Sequence, residues 1–359
     1  LSLVDNITES LQNFYGLLNP ANIHISLSML KLAKQLGCGA VLNGVDGDNV
    51  VSHGRHHLVE LGLAGDWDEF TRVVRAVAPS YARYSKNPQV ALCYSFGVPA
   101  LVRSLKFGRV INFTRGLRAI MRVNGLSRRM VIKLISSGLR QRQTRFNEQS
   151  QTVSLRNGWQ GRFLREAYNP DFLAKIDSLS TLSSAFGGST RQFFSEKQAH
   201  IAQFENGVNQ HYFEYTWANS HVYGVPTVSP FMDRAFVEFC ISIPPEQKLR
   251  NGYSRAIFRE AMSDYLPLNL RTRQWKTDLS PSSLSKLRNE VLPKFCKNLS
   301  EDPSPLSQII DKRFLEAQIS DAKRPNLKRD SAIRVWVLFC LDTWLRQEDV
   351  AQNIFATQN

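Results

Sequence analysis

A helix, a short apolar run and a glycine-rich acidic loop follow one another near the start of the chain. Residues 25–36 carry apolar side chains at helical spacing, and Gly37 stands where a left-handed helix end favours glycine. Residues 38–42 are apolar without alternation, which is typical of a parallel strand buried on both faces. The loop NGVDGDN at 43–49 follows directly. This order predicts an open α/β sheet with a ligand beyond the carboxyl end of the strand.

The length of 359 residues exceeds what one hydrophobic core usually supports, which is about 250–300 residues. Strand signals fade after residue 57, and helical periodicity replaces them. We therefore predict an α/β fold class, with a partial open parallel sheet at the N-terminal end and a large, mostly α-helical lobe after it. The expected divisions are an α/β part at 1–100, a basic helical insertion at 101–220 and a helical C-terminal lobe at 221–359.

Composition excludes several classes of protein. No window reaches the roughly 18 uninterrupted apolar residues of a membrane span. The five cysteines show no CxxC pair, so we expect reduced core residues in a cytoplasmic protein. The chain starts at Leu1, and residues 1–19 lack the features of a signal peptide, so we expect that an upstream part is missing here.

Positive charge is concentrated in one segment. The net charge is +14, and twelve lysines and arginines fall between Arg103 and Arg145 without an acidic residue among them. Apolar spacers such as Ile111, Ile120 and Met121 make this segment amphipathic. It could bind nucleic acid, an anionic membrane or an acidic peptide, or form a solvated helical face. Charge runs are usually solvated faces, so we expect no nucleic-acid partner.

Three helices are predicted in the C-terminal part. Ser229 and Pro230 are expected to cap one helix, and Ser254 another that carries arginines one turn apart. A third has apolar residues at i, i+3, i+4 and i+7 spacing between Ile333 and Trp344. That spacing requires the last helix to dock on a core.

Five segments, in this order, resemble the synthetase domain of the asparagine synthetase superfamily. The family's SGxGxDE loop corresponds to NGVDGDN at 43–49, and its PFxD segment to PFMD at 230–233. Its lPpeqKl turn corresponds to IPPEQKL at 243–249 and its KxxLRE helix to RAIFRE at 255–260. Its Leu-Pro and RxxK elements correspond to residues 266–276. The resemblance extends from about residue 23 to 345 and is weak between 58 and 220.

The resemblance implies a pyrophosphatase-type nucleotide domain, related to the adenine nucleotide alpha hydrolases. In such enzymes ATP activates a carboxylate as an acyl-adenylate, which an amine attacks to give an amide, AMP and pyrophosphate. By resemblance the ATP and pyrophosphate contacts are Asn43, Gly44, Asp46 and Gly47, and the Mg²⁺ ligand is Asp48. The catalytic candidates are Arg255, Lys276, Arg273 and Asp233. The alternatives are an Asx turn at 46–49, a helix cap at Asp233 and solvated charge at Arg273 and Lys276.

The sequence also departs from the family pattern. Val45 stands where asparagine synthetases carry a glutamate that manages the amine's proton, and Asn49 replaces a second acid. Arg255 replaces the family's lysine; it keeps the charge but cannot shed a proton. No SGG triplet of the family's ATP loop precedes Val41, and there is no N-terminal cysteine of a glutaminase domain. We therefore expect that these 359 residues alone lack half of the nucleotide site and are inactive without an upstream part.

The leading hypothesis is an ATP- and Mg²⁺-dependent amide ligase with a carboxylate substrate and an amine donor. The donor could be ammonia from a glutaminase domain or an amine of the substrate itself. One rival is a peptide-modifying relative that closes lasso-peptide macrolactams, and another is a non-catalytic scaffold. A homo-oligomer is possible. His53, His56 and His57 could suggest zinc, but no HExxH pattern or Cys/His pair supports it.

Overall fold

The computed structural model describes residues 23–82, 85–124, 166–175, 192–205, 207–274, 284–301, 304–324 and 329–347, together with Val4 and Ser136. These residues are mostly helical. The longer helices are α1 (Ile23–Gln35), α3 (His57–Ala64), α4 (Trp67–Tyr81), α6 (Val98–Lys106), α7 (Val110–Asn124), α10 (Gly207–Tyr223), α11 (Arg234–Ser242), α15 (Leu292–Glu301), α16 (Lys312–Lys323) and α17 (Arg329–Leu345). The shorter ones are α2 (Gly47–Val50), α5 (Pro88–Leu92), α8 (Pro170–Lys175), α9 (Glu196–Ile201), α12 (Pro245–Lys248), α13 (Ala256–Ala261) and α14 (Leu268–Arg271).

Four two-residue strands form two small sheets in the described part of the chain. Strand β1 (Val41–Leu42) pairs in parallel with β2 (Thr227–Val228). Strand β3 (Leu249–Arg250) pairs antiparallel with β4 (Tyr253–Ser254). The predicted helix, parallel strand and loop are therefore present in that order, which is consistent with an α/β class. The larger pyrophosphatase-type sheet stays an expectation.

The expected burial of the first strand on both faces is wrong. Leu42 is 71% exposed and Val228 is 45% exposed, although both are apolar. The reason is that the two residues of the strand point to different faces: Val41 packs against a hydrophobic core, whereas Leu42 and its neighbour Val228 lie on the exposed face. The apolar run is therefore a strand that is covered on one face only.

Two large hydrophobic cores organise the helices. The first core joins α1, α10 and the C-terminal helices α15–α17, with Tyr215 and Trp336 fully buried in it. The second joins α3–α7 around Phe70 and Leu101. It extends across residue 100, where the sequence suggested a division. A small third cluster, built on Val50, packs α2 against α11.

Two predicted helix caps are corrected. Pro230–Met232 forms a 3₁₀ turn, and α11 begins after Asp233, whose Oδ1 accepts a hydrogen bond from Phe236 N. The carboxylate displaces Ser229 as the cap because it reaches the backbone donor three residues on. Helix α13 is preceded by Arg255 in a left-handed conformation rather than capped by Ser254. The left-handed end predicted at Gly37 is confirmed, with φ of 69°.

The described half of the basic segment forms α6 and α7. Ile120 is buried in the second core, and Phe113, Leu117 and Met121 pack against it. Three arginines of α7 are exposed on the opposite side: Arg115, Arg118 and Arg122. This part of the segment is therefore an amphipathic helix docked by its apolar face. Ile111 departs from the pattern, since it is 77% exposed.

The cysteines are all free thiols, and three of them are buried: Cys93, Cys240 and Cys340. Burial raises the pKa of the Cys93 thiol to about 12. Cys38 is exposed, which corrects its expected place in a core. None of the described helices is long and apolar enough to cross a membrane.

Candidate functional site

A cavity of about 600 Å³ lies between the acidic loop after β1 and the segment from β4 to Gln274. Gly44, Gly47 and Asp48 line it from the loop, and Arg273 lines it from the other side. Its most distinctive feature is its charge, because five arginines face one carboxylate along the described lining. These arginines are Arg55, Arg255, Arg259, Arg271 and Arg273.

The acidic loop is shaped by its own side chains. Asn43 Oδ1 accepts hydrogen bonds from Val45 N at 3.1 Å and Ser229 Oγ at 2.9 Å, which ties the loop to β2. Asp46 adopts a left-handed conformation at φ 60°, and its Oδ1 accepts a bond from Asn49 Nδ2 at 2.5 Å. Asn43 and Asp46 thus form the loop, and direct nucleotide contacts from them stay predictions.

The two glycines of the loop differ in their surroundings. A Cβ on Gly44 would meet no atom within 4 Å, so this position leaves space beside the cavity. A Cβ on Gly47 would lie 3.1 Å from the ring of Phe231, which packs directly on the backbone there. A side chain at position 47 would therefore require the Phe231 ring to shift by a few tenths of an ångström, and a role of Gly47 in nucleotide binding is an additional prediction.

Arg255 connects the loop to the cationic side of the cavity. Its Nη2 lies 3.1 Å from Asp48 Oδ1 and 2.9 Å from His53 Nε2. Burial lowers the pKa of Arg255, and the Asp48 charge opposes that shift. Arg255 Nε is buried without a hydrogen-bond partner. A buried donor is costly to leave unpaired, and an anion in the cavity is one acceptor that could satisfy it after a small rotation of the guanidinium.

Backbone strain is concentrated at this site. Among the described residues, the non-glycine positions with positive φ are Asp46, Ser52, Asn251 and Arg255. Two of them, Asp46 and Arg255, precede the short helices α2 and α13, which carry or flank the cavity. Such conformations cost about 1–3 kcal/mol each and tend to occur at functional sites.

Two more of the arginines are held by backbone and aromatic contacts. Arg259 donates from Nε to Ser254 O at 2.9 Å and from Nη1 to Arg271 O at 2.7 Å. Arg55 stacks on the ring of Tyr81, with Cζ 4.7 Å from the ring centroid. These contacts fix guanidinium groups at the cavity while leaving part of their donor capacity for a ligand.

The cavity also has an apolar side. Five apolar side chains contribute to the lining: Val51, Phe231, Phe258, Leu266 and Leu270. A cavity with cationic and apolar walls fits a ligand that joins a polyanion to a flat or apolar group. A nucleotide has this composition.

A buried polar network lies behind the loop, and the sequence analysis assigned it no role. Glu196, His200 and Lys248 are each at most 2% exposed. Lys248 Nζ lies 3.1 Å from His200 Nδ1, and His200 Nε2 lies 2.9 Å from Val50 O. Burial, followed by the Lys248 charge, lowers the pKa of His200 to about 4. Burial also raises the pKa of Glu196 and lowers that of Lys248.

The other predicted site residues fall in three places. Asp233 is exposed and caps α11, and it does not contribute to the described cavity lining. Its catalytic role stays a prediction. Lys276 lies outside the described residues. His56 and His57 face the carboxylates of Glu196 and Glu60 at 3.9 and 3.6 Å, whereas His53 lines the cavity.

The cavity offers few ligands for Mg²⁺. No group of three or more His, Cys, Asp or Glu side chains suited to a metal occurs in the described ranges. Asp48 is the one carboxylate of the described lining. Mg²⁺ at nucleotide sites is commonly held by one or two carboxylates together with substrate phosphates. The site therefore fits a magnesium ion that arrives with a nucleotide, and does not form a protein cage for the ion.

Comparison with known proteins gives one match. Residues 210–346 match the family model for asparagine synthase, which corresponds to the C-terminal synthetase domain of the asparagine synthetase superfamily. No curated protein and no solved structure matches the chain. The matched segment supplies four of the five cavity arginines; Arg55, Asp48 and the glycines of the loop lie upstream of it.

Proposed function

We propose, on the premise that residues 210–346 are an asparagine synthase domain, that this protein is an ATP-dependent ligase that joins a carboxylate to an amine. The family assignment supports a ligase that forms C–N bonds. The observation that carries the proposal for this chain is the contact of Asp48 with Arg255 inside a cavity lined by five arginines.

The first proposed step is adenylation. An oxygen of the substrate carboxylate attacks the α-phosphorus of ATP, and the bond to the β-phosphate oxygen breaks, releasing pyrophosphate. The reaction moves negative charge onto the phosphate oxygens. Arg255, Arg259 and Arg273 supply fixed positive charge where that charge develops, which is an effective form of transition-state stabilisation. Asp48 would hold Mg²⁺, which supplies further charge stabilisation at the phosphates.

The second proposed step is amide formation. The amine nitrogen attacks the acyl carbon, the acyl–phosphate C–O bond breaks, AMP leaves, and the nitrogen loses a proton. Among the described lining residues, Asp48 and His53 are the side chains that can accept a proton near neutral pH. Asp48 is paired with Arg255. His53 Nε2 accepts a hydrogen bond from Arg255 at 2.9 Å, so this nitrogen is unprotonated, and its lone pair becomes free to take the proton when the Arg255 guanidinium turns to the phosphate. We propose that His53 accepts the proton that the amine nitrogen loses.

Arg255 has a defined place in this scheme. A guanidinium stays charged at all physiological pH values and binds phosphate through two donors. It can therefore stabilise the adenylate and the leaving AMP, but it cannot transfer a proton. This is a further reason to assign proton transfer to His53 rather than to Arg255.

Two sources of the amine remain within the proposal. Ammonia would make the product a primary amide, as in asparagine synthesis, whereas an amine of the same substrate would close a macrolactam. The second source is favoured by Val45, which puts an aliphatic side chain where a proton-managing glutamate is expected. Mass spectrometry separates the two, because ring closure loses water without incorporating nitrogen from labelled ammonia.

The test is to measure pyrophosphate and AMP released by the full-length protein, including any segment that precedes Leu1, from ATP, Mg²⁺ and a panel of amino-acid and peptide carboxylates. We expect equal amounts of both products, and a loss of at least about a hundredfold in rate for Asp48→Asn, comparable to the removal of one electrostatic contact to the transition state. Asp68→Asn is the matched control, because Asp68 is an exposed aspartate outside the described cavity lining.

Three outcomes contradict the proposal. Release of ADP and phosphate would indicate a different nucleotide chemistry. Release that is unaffected by Asp48→Asn would remove this aspartate from the site. ATP binding without any product would indicate the non-catalytic scaffold.

A further inference from the structure

We propose that Lys248, His200 and Glu196 form a buried positioning network that fixes residues 50–56, the segment carrying three residues of the cavity wall. These residues are Val51, His53 and Arg55. Glu196, His200 and Lys248 are not among the described lining residues of the cavity, and the network acts through the segment that carries those residues. The expected effect of the network on nucleotide binding rests on the proposed function. Its role in holding residues 50–56 in place does not.

The first arm of the network holds the end of α2. The carbonyl of Val50 can only accept a hydrogen bond, so His200 Nε2 carries a proton and donates it across 2.9 Å. The other ring nitrogen, Nδ1, is then an acceptor, and the Lys248 ammonium donates to it across 3.1 Å. Lys248 thus selects the tautomer of His200 that can hold Val50, two residues beyond Asp48.

The second arm holds the middle and the far end of the segment. Glu196 Oε1 accepts from Ser52 Oγ at 2.5 Å, and Oε2 accepts from His56 N at 2.9 Å. Both bonds come from one carboxylate, so the spacing between Ser52 and His56 is fixed by a single side chain. Glu196 is itself anchored, because its backbone N donates to Glu60 Oε1 at 2.8 Å.

Gly54 lets the segment lie directly against Lys248. It has φ of 70°, and a Cβ there would lie 2.7 Å from Lys248 Cβ and 2.8 Å from Leu249 N. Any larger residue would push the segment away from the network. Ser52, at φ 57°, holds a strained conformation that its buried bond to Glu196 helps to maintain.

The contacts alternate along the chain. The even-numbered residues Val50, Ser52, Gly54 and His56 meet the network, and the odd-numbered residues between them line the cavity. The residues that meet the network and the residues that line the cavity are therefore direct neighbours in the chain. Holding the first set limits the positions that the second set can take.

The composition of the network also argues against a purely structural role. Burying a lysine and a glutamate carries a large desolvation cost, and apolar replacements of buried ion pairs are often as stable or more so. The presence of Lys248 and Glu196 beside a segment that borders the cavity is better explained by the position in which their hydrogen bonds hold that segment. The same fold could be stabilised more simply by aliphatic side chains.

The experiment uses the full chain and compares Lys248→Met, Glu196→Gln and the double variant. Asp342→Asn is the matched control, because Asp342 is also fully buried and ion-paired, with Arg346 at 3.0 Å, but lies in the first core. The measurements are amide hydrogen exchange of residues 49–56, titration with ATP and Mg²⁺, and thermal unfolding.

Lys248→Met is expected to raise exchange selectively at 49–56. It should also weaken ATP binding by about tenfold or more, which is the loss expected when one hydrogen bond from the segment to a charged ligand is broken. The double variant should lose less than the sum of the single losses, because it leaves no uncompensated buried charge. Asp342→Asn should lower the unfolding temperature without either effect.

The outcomes separate this inference from the proposed function. Unchanged exchange at 49–56 in Lys248→Met overturns the inference, as does exchange that rises equally in Asp342→Asn. ATP bound equally well by wild type and Lys248→Met overturns it too, and leaves the proposed function standing. If the wild type binds no ATP but Lys248→Met still raises exchange selectively at 49–56, the network is supported and the proposed function is overturned.

Discussion

Two buried carboxylates, Glu196 and Asp342, have different neighbourhoods. Asp342 accepts hydrogen bonds from Ser304 Oγ at 2.6 Å and from Arg346 Nε at 3.0 Å, one helical turn away. Glu196 instead accepts from Ser52 and His56, which are 144 and 140 residues away in sequence. Asp342 stands among the side chains of the first core, and Glu196 stands behind a wall of the cavity.

The comparison indicates what each buried charge does. Around Asp342 the backbone is regular helix and a short turn, so the charge helps to join α17 to its neighbours. Around Glu196 the backbone of the partner segment is strained at Ser52, and residues that contact the network are direct neighbours of residues that line the cavity. We infer that the first region determines stability and the second determines the shape of a binding site. Variants should separate these two properties.

The largest effect is expected in the first core. Trp336→Ala should lower the free energy of unfolding by about 3–5 kcal/mol, because Trp336 is 2% exposed and its removal leaves a cavity. Denaturant unfolding measures this loss. Val337→Ala, at a 55% exposed position on the same helix, should cost much less. ATP affinity of the folded protein should stay unchanged; a parallel loss would show that core and site are coupled.

The next effect concerns pH and the network. The pKa of His200 is about 4 in the folded protein against 6.5 when unperturbed, so the unfolded chain binds its proton more tightly. Stability should therefore fall as pH decreases from 6.5 to 4, by about 3 kcal/mol for this group at roughly 1.4 kcal/mol per pKa unit. The raised pKa of Glu196 acts in the opposite direction and reduces the net slope.

His200→Gln isolates the histidine contribution, because a glutamine can donate to Val50 O and accept from Lys248 without titrating. Unfolding curves of this variant between pH 4 and 7 should be flatter than those of the wild type. An identical pH dependence in the two proteins would show that His200 does not control it.

A smaller change in free energy is expected at the cavity. Arg255→Met should weaken ATP binding by about 1.5–3 kcal/mol, the range for a hydrogen bond to a charged group. Its effect on stability should stay below about 1 kcal/mol, because its partner Asp48 is 40% exposed and solvent screens the pair. Calorimetric titration measures the first quantity and thermal unfolding the second.

Arg234→Met is the control, since Arg234 pairs with Glu238 on the surface and is 91% exposed. Equal losses of ATP affinity in both variants would mean that overall charge, rather than the cavity, attracts the nucleotide. Arg255→Lys, which restores the lysine of the family pattern, should keep most of the affinity.

The smallest effects are expected on the outer face of α7, which belongs to neither region of the comparison. Single changes of Arg115, Arg118 or Arg122 to Gln should alter stability by no more than about 0.5 kcal/mol, as is usual for exposed positions. ATP affinity should not change. A large loss of salt-sensitive binding to duplex DNA in the triple variant would instead establish this face as a nucleic-acid surface.

The site was foreseeable where the sequence resembles a known family. The resemblance of the acidic loop, and of the later segments that contain Arg255 and Arg273, implied that these residues would meet. Asp48 and Arg255 are indeed 3.1 Å apart, although their chemical roles remain predictions. Helix α1 and the left-handed Gly37 were also predictable, because both depend on local spacing and backbone preference.

The network and the caps were not foreseeable by the same reasoning. Lys248 lies in a turn that the resemblance included without giving it a role, and its partner His200 is 48 residues away. Nothing in local periodicity distinguishes a buried lysine from an exposed one. Similarly, the exposure of Ile333 and Val337 on α17 could not be anticipated, because the core contacts that helix over a wider arc than one apolar stripe, including Ala332 and Phe339.

The parallel pairing of β1 with β2 joins positions of the chain about 186 residues apart, the same separation as the Asn43–Ser229 hydrogen bond. Contacts of such long range form late, since a large loop must close before they contribute. The helices of the second core are local and can assemble earlier. We therefore expect ligand binding to be among the last properties regained during refolding. The time course of ligand binding would then report when the whole chain has finished folding.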